Sequence, residues 1–196
     1  MKVTREKPEI LRFIYRQESG DPHYGSCLWA IFDLDPGRGM LNIQSDCGNY
    51  AYRWPERGNE FLRLMTGIDK GYLLKKLCGK PKEVDEEATV ERVKEYLQDA
   101  EYYEDEDLNR RKIERGIERL EAKFEDFNIS EEGFAAYMLD EWNDENNMQM
   151  CDIRELVQTS YGAHQKRIAD IFIGHIEPEI RRAILEGVYH GTEDED

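Results

Sequence analysis

The sequence predicts an α+β protein: an N-terminal antiparallel β-meander with short helices, followed by an α-helical region. Three observations predict it. Four runs rich in β-branched and aromatic residues lie before Pro55, each closed by a turn cluster. After Pro55 the apolar period changes from alternation to helical spacing, and beyond Pro81 spacings of three and four dominate.

The first run, Ile10 to Arg16, ends in Glu18-Ser19-Gly20-Asp21-Pro22, a dense turn signal. Cys27 to Phe32 is almost wholly apolar and stops at Asp35-Pro36-Gly37. Met40 to Ser45 follows, and Asp46-Cys47-Gly48-Asn49 offers a hairpin turn because Gly and Asn tolerate positive φ. Tyr50, Tyr52 and Trp54 then share one strand face. Short links between successive strands favour an antiparallel meander. Phe61-Leu62-Leu64-Met65 and Tyr72-Leu73-Leu74-Leu77 read as two short helices, broken at Gly67 and Gly71 and stopping at Gly79. Helices there cover one face of a sheet and complete a module of residues 1–80.

Residues 81–192 read as the helical region, with 193–196 as an acidic tail. Val90, Val93, Leu97 and Ala100 form one seam; Ile113, Ile117, Leu120, Phe124 and Phe127 form another. The acidic stretch 101–107 between them turns the chain back into a helical hairpin, with one continuous helix as the alternative. Ser130 is placed to cap a further helix bearing Phe134, Tyr137, Met138 and Trp142. Ile153/Leu156/Val157, Ile168/Ile171/Phe172 and Ile180/Ala183/Ile184 mark three more, the last opening near Pro178.

Length and composition narrow the function. The 196 residues suffice for a real core, and three Trp, eleven Tyr and seven Phe argue against a disordered chain. The net charge is −16, unevenly spread: residues 1–80 hold 13 Lys/Arg against 10 Asp/Glu, and the remainder 14 against 33. Such a surface repels phosphates and attracts basic surfaces, of which nucleic-acid-binding grooves are the largest common class. Solvation of exposed helices explains the same acid more simply. No apolar run approaches the roughly 20 residues that span a bilayer, and the start lacks an apolar signal segment, so no membrane role and a cytoplasmic location are expected. Cys27, Cys47, Cys78 and Cys151 show no C-x-x-C spacing and read as free thiols.

Three aspartates are the sharpest catalytic candidates. Asp33 and Asp35 stand at i and i+2 and share a strand face, and Asp46 ends the next strand. Carboxylates clustered on strands hold divalent metal in many nucleases, as in the opening hairpins of RNase H-like folds, which Ala30 to Trp54 resembles in outline. The later strands and helices of that fold are missing here, and turn preference alone accounts for all three residues. His164 and His175 lie eleven apart, unlike two ligands on one helix face, so zinc is not expected and neither metal nor cofactor is assigned. Tyr50, Tyr52 and Trp54 beside Arg38, Arg53, Arg57 and Arg63 suit RNA stacking, with core packing as the plainer reading.

Lys2–Arg16 (KVTREKPEILRFIYR), Leu41–Trp54 (LNIQSDCGNYAYRW) and Phe61–Lys80 (FLRLMTGIDKGYLLKKLCGK) together resemble small phage and prophage proteins of Gram-positive gut bacteria. A similar N-terminal module occurs among type II anti-CRISPR proteins, which disable Cas9. The resemblance covers the first 80 residues or so and contains no catalytic motif. It implies a counter-defence protein of the host bacterial cytoplasm that acts by binding, with the question of enzymatic activity left open. Its partner would be a basic protein or nucleoprotein such as Cas9 with its guide RNA, and a homodimer is left open. Charge nominates Glu101, Glu104, Asp105, Asp107, Asp140, Glu141, Asp144 and Glu145 as the partner-binding acids. The rival readings are a metal-dependent nuclease acting on guide RNA through Asp33, Asp35 and Asp46, and an acidic adaptor without inhibitory role.

Overall fold

The computed structural model describes residues 3, 9–99, 106–126, 132–146, 150 and 153–187. Strands β1 (Leu11–Arg16), β2 (Trp29–Asp35), β3 (Met40–Ser45) and β4 (Gly48–Arg53) form one antiparallel sheet in sequence order, the meander expected. Register follows from burial. Phe13 faces Phe32, Phe32 faces Ile43, and Leu34 faces Leu41 on the inner side. A one-residue slip would turn these side chains outward, so the apolar face fixes the pairing. On the outer face Arg12 opposes Asp33, Ile14 opposes Ile31, and Arg16 opposes Trp29.

A single 3-10 turn, Pro36–Arg38, links β2 to β3. Gly39 ends it at φ +63°, and a Cβ there would lie 2.1 Å from the Glu56 carbonyl oxygen, so only glycine fits. Helices α1 (Gly58–Met65) and α2 (Lys70–Cys78) follow. Asp69 caps α2 by accepting from the Tyr72 N–H at 2.9 Å, so the break lies at Gly67–Asp69 while Gly71 is already helical.

Residues 81–162 make a unit with its own core. Strand β5 (Glu83–Val84) leads into α3 (Glu86–Asp99), α4 (Glu106–Asp126) and α5 (Glu132–Asn146), and β6 (Thr159–Ser160) closes the unit by pairing with β5. Val90, Val93 and Leu97 of the first seam meet Ile117, Leu120 and Phe124 of the second, with Met138, Leu139 and Trp142 of α5 against them. Ala100, Phe127 and Ser130 lie outside the described residues. Lys94 of α3 pairs with Glu121 of α4 at 3.2 Å, and Glu86 and Glu87 line one groove with Glu121 and Phe124, which places the start of α3 beside the end of α4 in an antiparallel hairpin. The Trp142 indole donates to the Gly116 carbonyl at 2.8 Å, a buried bond that fixes α5 on α4.

Two departures from the sequence reading concern the region beyond Met150. Ile153, Leu156 and Val157 do not build a helix: Ile153–Glu155 is one 3-10 turn, and the chain then runs extended to meet β5. Short apolar spacing cannot separate a turn from a helix when a non-local strand partner decides. Residues 163–196 group with 1–80 rather than with the acidic helices, so 81–162 is an insertion whose two ends are pinned together by β5 and β6.

Helix α6 (Ala163–Ile171) runs through a π-turn, Phe172–Ile176, into α7 (Glu177–Leu185). Pro178 brings no N–H and cannot continue a regular ladder; the widened turn just before it, where the Glu177 N–H reaches back to the Phe172 carbonyl, accommodates this. Phe172 packs on Phe32 with ring centroids 6.0 Å apart, and His175 lies 5.3 Å from Tyr15. The Arg167 guanidinium donates to the Tyr15 hydroxyl at 3.0 Å, and Lys70 pairs with Asp170 at 2.6 Å. The C-terminal helices thereby complete the core of the sheet unit. No helix among the described residues is long and apolar enough to cross a membrane.

Candidate functional site

The charge asymmetry sharpens once the units are known. Residues 81–162 contain 10 Lys/Arg and 25 Asp/Glu, a net −15, whereas 1–80 with 163–196 contain 17 against 18. Part of that acid is structural. Glu86 and Glu87 occupy the first turn of α3, where the helix dipole favours them. Glu141 and Glu145 bracket Lys123 at 3.6 and 3.3 Å, and Tyr137 donates to Glu141. Asp140 and Asp144, one turn apart on α5, are exposed and pair with no described cation. Glu101, Glu104 and Asp105 lie outside the described residues, as does the side chain of Asp107 in the first turn of α4.

An acidic feature absent from the sequence reading lies where α3 crosses the end of α4. Glu86, Glu87, Glu91 and Glu121 line a groove of about 300 Å³ together with Val90, Phe124 and, among the described residues, the single cation Lys94. Glu87 and Glu91 at i and i+4 were visible in the sequence, but Glu121 joins them only through the hairpin.

The three sheet aspartates are not brought together. Asp33, on the outer face, accepts two bonds from the Arg12 guanidinium, both at 2.7 Å. Asp35 is buried at the far end of β2, where it caps the 3-10 turn through the Arg38 N–H at 3.1 Å and lies 3.8 Å from the Arg38 guanidinium. Asp46 lies beyond the opposite end, because Ser45 pairs with Ala30 while Met40 pairs with Asp35. Five residues of strand, about 16 Å, separate those ends. Each carboxylate satisfies local backbone or an arginine, and no shared metal can bridge all three. Tyr50 and Tyr52 face inward and Trp54 is 1% exposed, with Trp54 packed edge-on to Tyr52 at 4.6 Å; packing, not stacking on RNA, occupies them.

Asp46 instead meets two thiols. Its carboxylate accepts from the Leu28 N–H (2.8 Å), the Trp29 N–H (3.4 Å) and the Cys27 thiol (3.3 Å). The Cys47 thiol donates to the Ser26 carbonyl at 2.9 Å. Burial pushes both thiols above the ordinary range; Asp46 adds to this, and Arg167 opposes it at Cys47. Burial alone would raise the Asp46 carboxyl, but its hydrogen bonds from Leu28, Cys27 and Trp29 hold it below its usual value. The sulfur and oxygen atoms of Cys27, Cys47 and Asp46 all lie within 4.8 Å of one another. Sequence spacing missed this cluster because Cys27 and Cys47 are 20 residues apart and no C-x-x-C announces them. The hairpin register is the signal that joins them.

A family model described as a phage family (Phage_phiTE_072) matches residues 1–182. No curated protein and no solved structure matches the chain.

Proposed function

The chain belongs to this phage family, and from that premise we propose that it is a counter-defence protein that docks its acidic helical unit on the basic nucleic-acid groove of a Cas9-like nucleoprotein. The observation that carries the reading is segregation of charge: 82 residues hold −15 of the −16, beside a unit that is nearly neutral. A structural need for solubility would spread acid over both units. Concentrated acid creates a field that steers the protein to a cationic channel and competes with the phosphates that channel was built for. Asp140 and Asp144, free of described ion pairs, and the groove around Glu87 and Glu121 are the surfaces best placed to act. The N-terminal resemblance to Cas9 inhibitors points to the same class of target, and the host cytoplasm is where such a target resides.

Occlusion by binding differs from catalysis in its stoichiometry. Titration of a guide-loaded Cas9 with the full-length protein should inhibit cleavage up to a fixed molar ratio, without growth over time. Guide RNA recovered from the mixture should keep its full length. Shortened guide, or inhibition at trace protein that deepens with time, would replace occlusion by a nuclease. Failure to bind the nucleoprotein at any ratio would leave the acidic unit as an adaptor.

A further inference from the structure

We propose that Cys27, Cys47 and Asp46 form a binding site for a thiophilic divalent cation, zinc foremost, which staples the segment before β2 to the β3–β4 turn. Nothing in the acidic-docking reading requires this site. The donor set is two sulfurs and one carboxylate oxygen, the chemistry that selects a borderline-soft ion over magnesium or calcium. Tetrahedral zinc with bonds of about 2.0–2.3 Å places its ligand atoms about 3.3–3.8 Å apart. Here Cys27 Sγ and Asp46 Oδ1 are 3.3 Å apart, and all three ligand atoms lie within 4.8 Å, so closing on the ion takes a movement of about an ångström.

The backbone explains why neighbours converge. Successive residues of a strand point to opposite faces, but Asp46 and Cys47 form the two-residue turn between Ser45 and Gly48, where that alternation breaks. The carboxylate is already oriented by the Leu28 and Trp29 N–H groups, as outer hydrogen bonds orient metal ligands generally. Both thiols are buried and Asp46 is exposed, so an ion enters past the carboxylate, and a water completes four-coordination from that side. Charge balances as well. Two thiolates and one carboxylate around a dication leave −1, and Arg167 already acts on Cys47. On binding, each thiol gives up its proton to solvent, and the Cys47 bond to Ser26 is released; no oxidant or reductant takes part.

The test uses the full-length, reduced protein in a Cys78→Ser/Cys151→Ser background. Titration with Co2+ should produce a thiolate-to-cobalt charge-transfer band that saturates at one equivalent and is displaced by Zn2+. Zinc should raise the melting temperature, and calorimetry in buffers of different ionisation heat should show close to two protons released. Cys27→Ser and Cys47→Ser should each abolish the band. Asp46→Asn, which keeps both thiols and the hydrogen-bond acceptor, should weaken binding at least tenfold and guards against loss of fold in the cysteine variants. Absence of the band, its persistence in both cysteine variants, or an Asp46→Asn variant that binds like the parent would overturn the site. So would a Cys27–Cys47 disulfide in protein whose reduced form ignores zinc.

Discussion

In the sheet unit acid and base are nearly balanced, and many of its acidic side chains have structural partners; in the inserted helical unit acid is in excess. Asp21 accepts from the Glu18 N–H, Asp35 caps a 3-10 turn, Asp46 anchors Leu28 and Trp29, and Asp69 caps α2. Asp33 holds Arg12, Asp170 holds Lys70, and Glu177 and Glu179 hold Arg181 and Arg182. Among the described residues of the inserted unit Asp85 caps α3 through the Ala88 N–H at 3.1 Å, and Lys94 and Lys123 each draw two glutamates, Glu91 with Glu121 and Glu141 with Glu145, while Asp140 and Asp144 stay exposed outside any described pair. A whole-chain charge of −16 hides this contrast. Acid that closes turns tracks the fold; acid left over after the turns are closed is available to a partner.

The contrast can be broken hardest through the two cores. Leu120→Asp buries an unpaired charge in the α3–α4 seam, where Leu120 is 1% exposed, and should cost about 4 kcal/mol or more. Phe32→Ala in the sheet core should cost about 3–5 kcal/mol. Circular dichroism melts read both. An unchanged helical signal and melting temperature in the Leu120 variant would mean that the seam is solvent-exposed and the hairpin wrong.

A smaller effect tests the clasp that makes 81–162 a unit. Buried Thr89 donates to the Asp85 carbonyl at 2.7 Å and accepts from the Gln158 N–H at 3.0 Å, tying the start of α3 to the strand that leaves the unit. Thr89→Val keeps the shape but orphans that N–H, so chemical denaturation should show a loss of about 1–3 kcal/mol.

Alkaline pH should act on the sheet unit. Burial raises the thiols of Cys27, Cys47 and Cys78 and the hydroxyl of Tyr50, all in that unit. A raised folded value means that the stabilisation is complete below the unfolded value and lost as pH rises past it. Stability should therefore decline from about pH 8.5, where unfolded thiols ionise, and further above about pH 10 for tyrosine. Cys78→Ala should flatten the first part of that decline in denaturation curves taken at successive pH values. The smallest expected effect is Arg12→Ala, which removes an exposed bidentate pair and should leave the melting temperature close to the parent's.

The meander, both short helices and the two seams were legible because each is a local pattern of period two or of three and four. What was not legible depended on pairing across the chain. Ile153 and Leu156 carried helical spacing, yet β5 draws the following residues into a strand. Ile168, Ile171 and Phe172 read as one more helix of the acidic region, whereas they belong to the sheet unit, where Phe172 packs on Phe32. Among candidate site residues, Asp33, Asp35 and Asp46 read from the sequence as turn residues or metal ligands, and the register sets Asp46 a strand's length from Asp35. Cys27 and Cys47 show no C-x-x-C spacing in the sequence, and the hairpin brings them together.

The central claim, that leftover acid on the helical unit binds a basic groove, is tested most directly by the salt dependence of affinity for guide-loaded Cas9. The full-length protein should lose affinity steeply, on a straight line of log affinity against log salt, as released counterions require. Asp140→Lys with Asp144→Lys should weaken binding at low salt and reduce the slope, with the melting temperature unchanged. An affinity that stays flat from low to physiological salt, and is indifferent to that double reversal, would contradict the account and leave the charge as solvation.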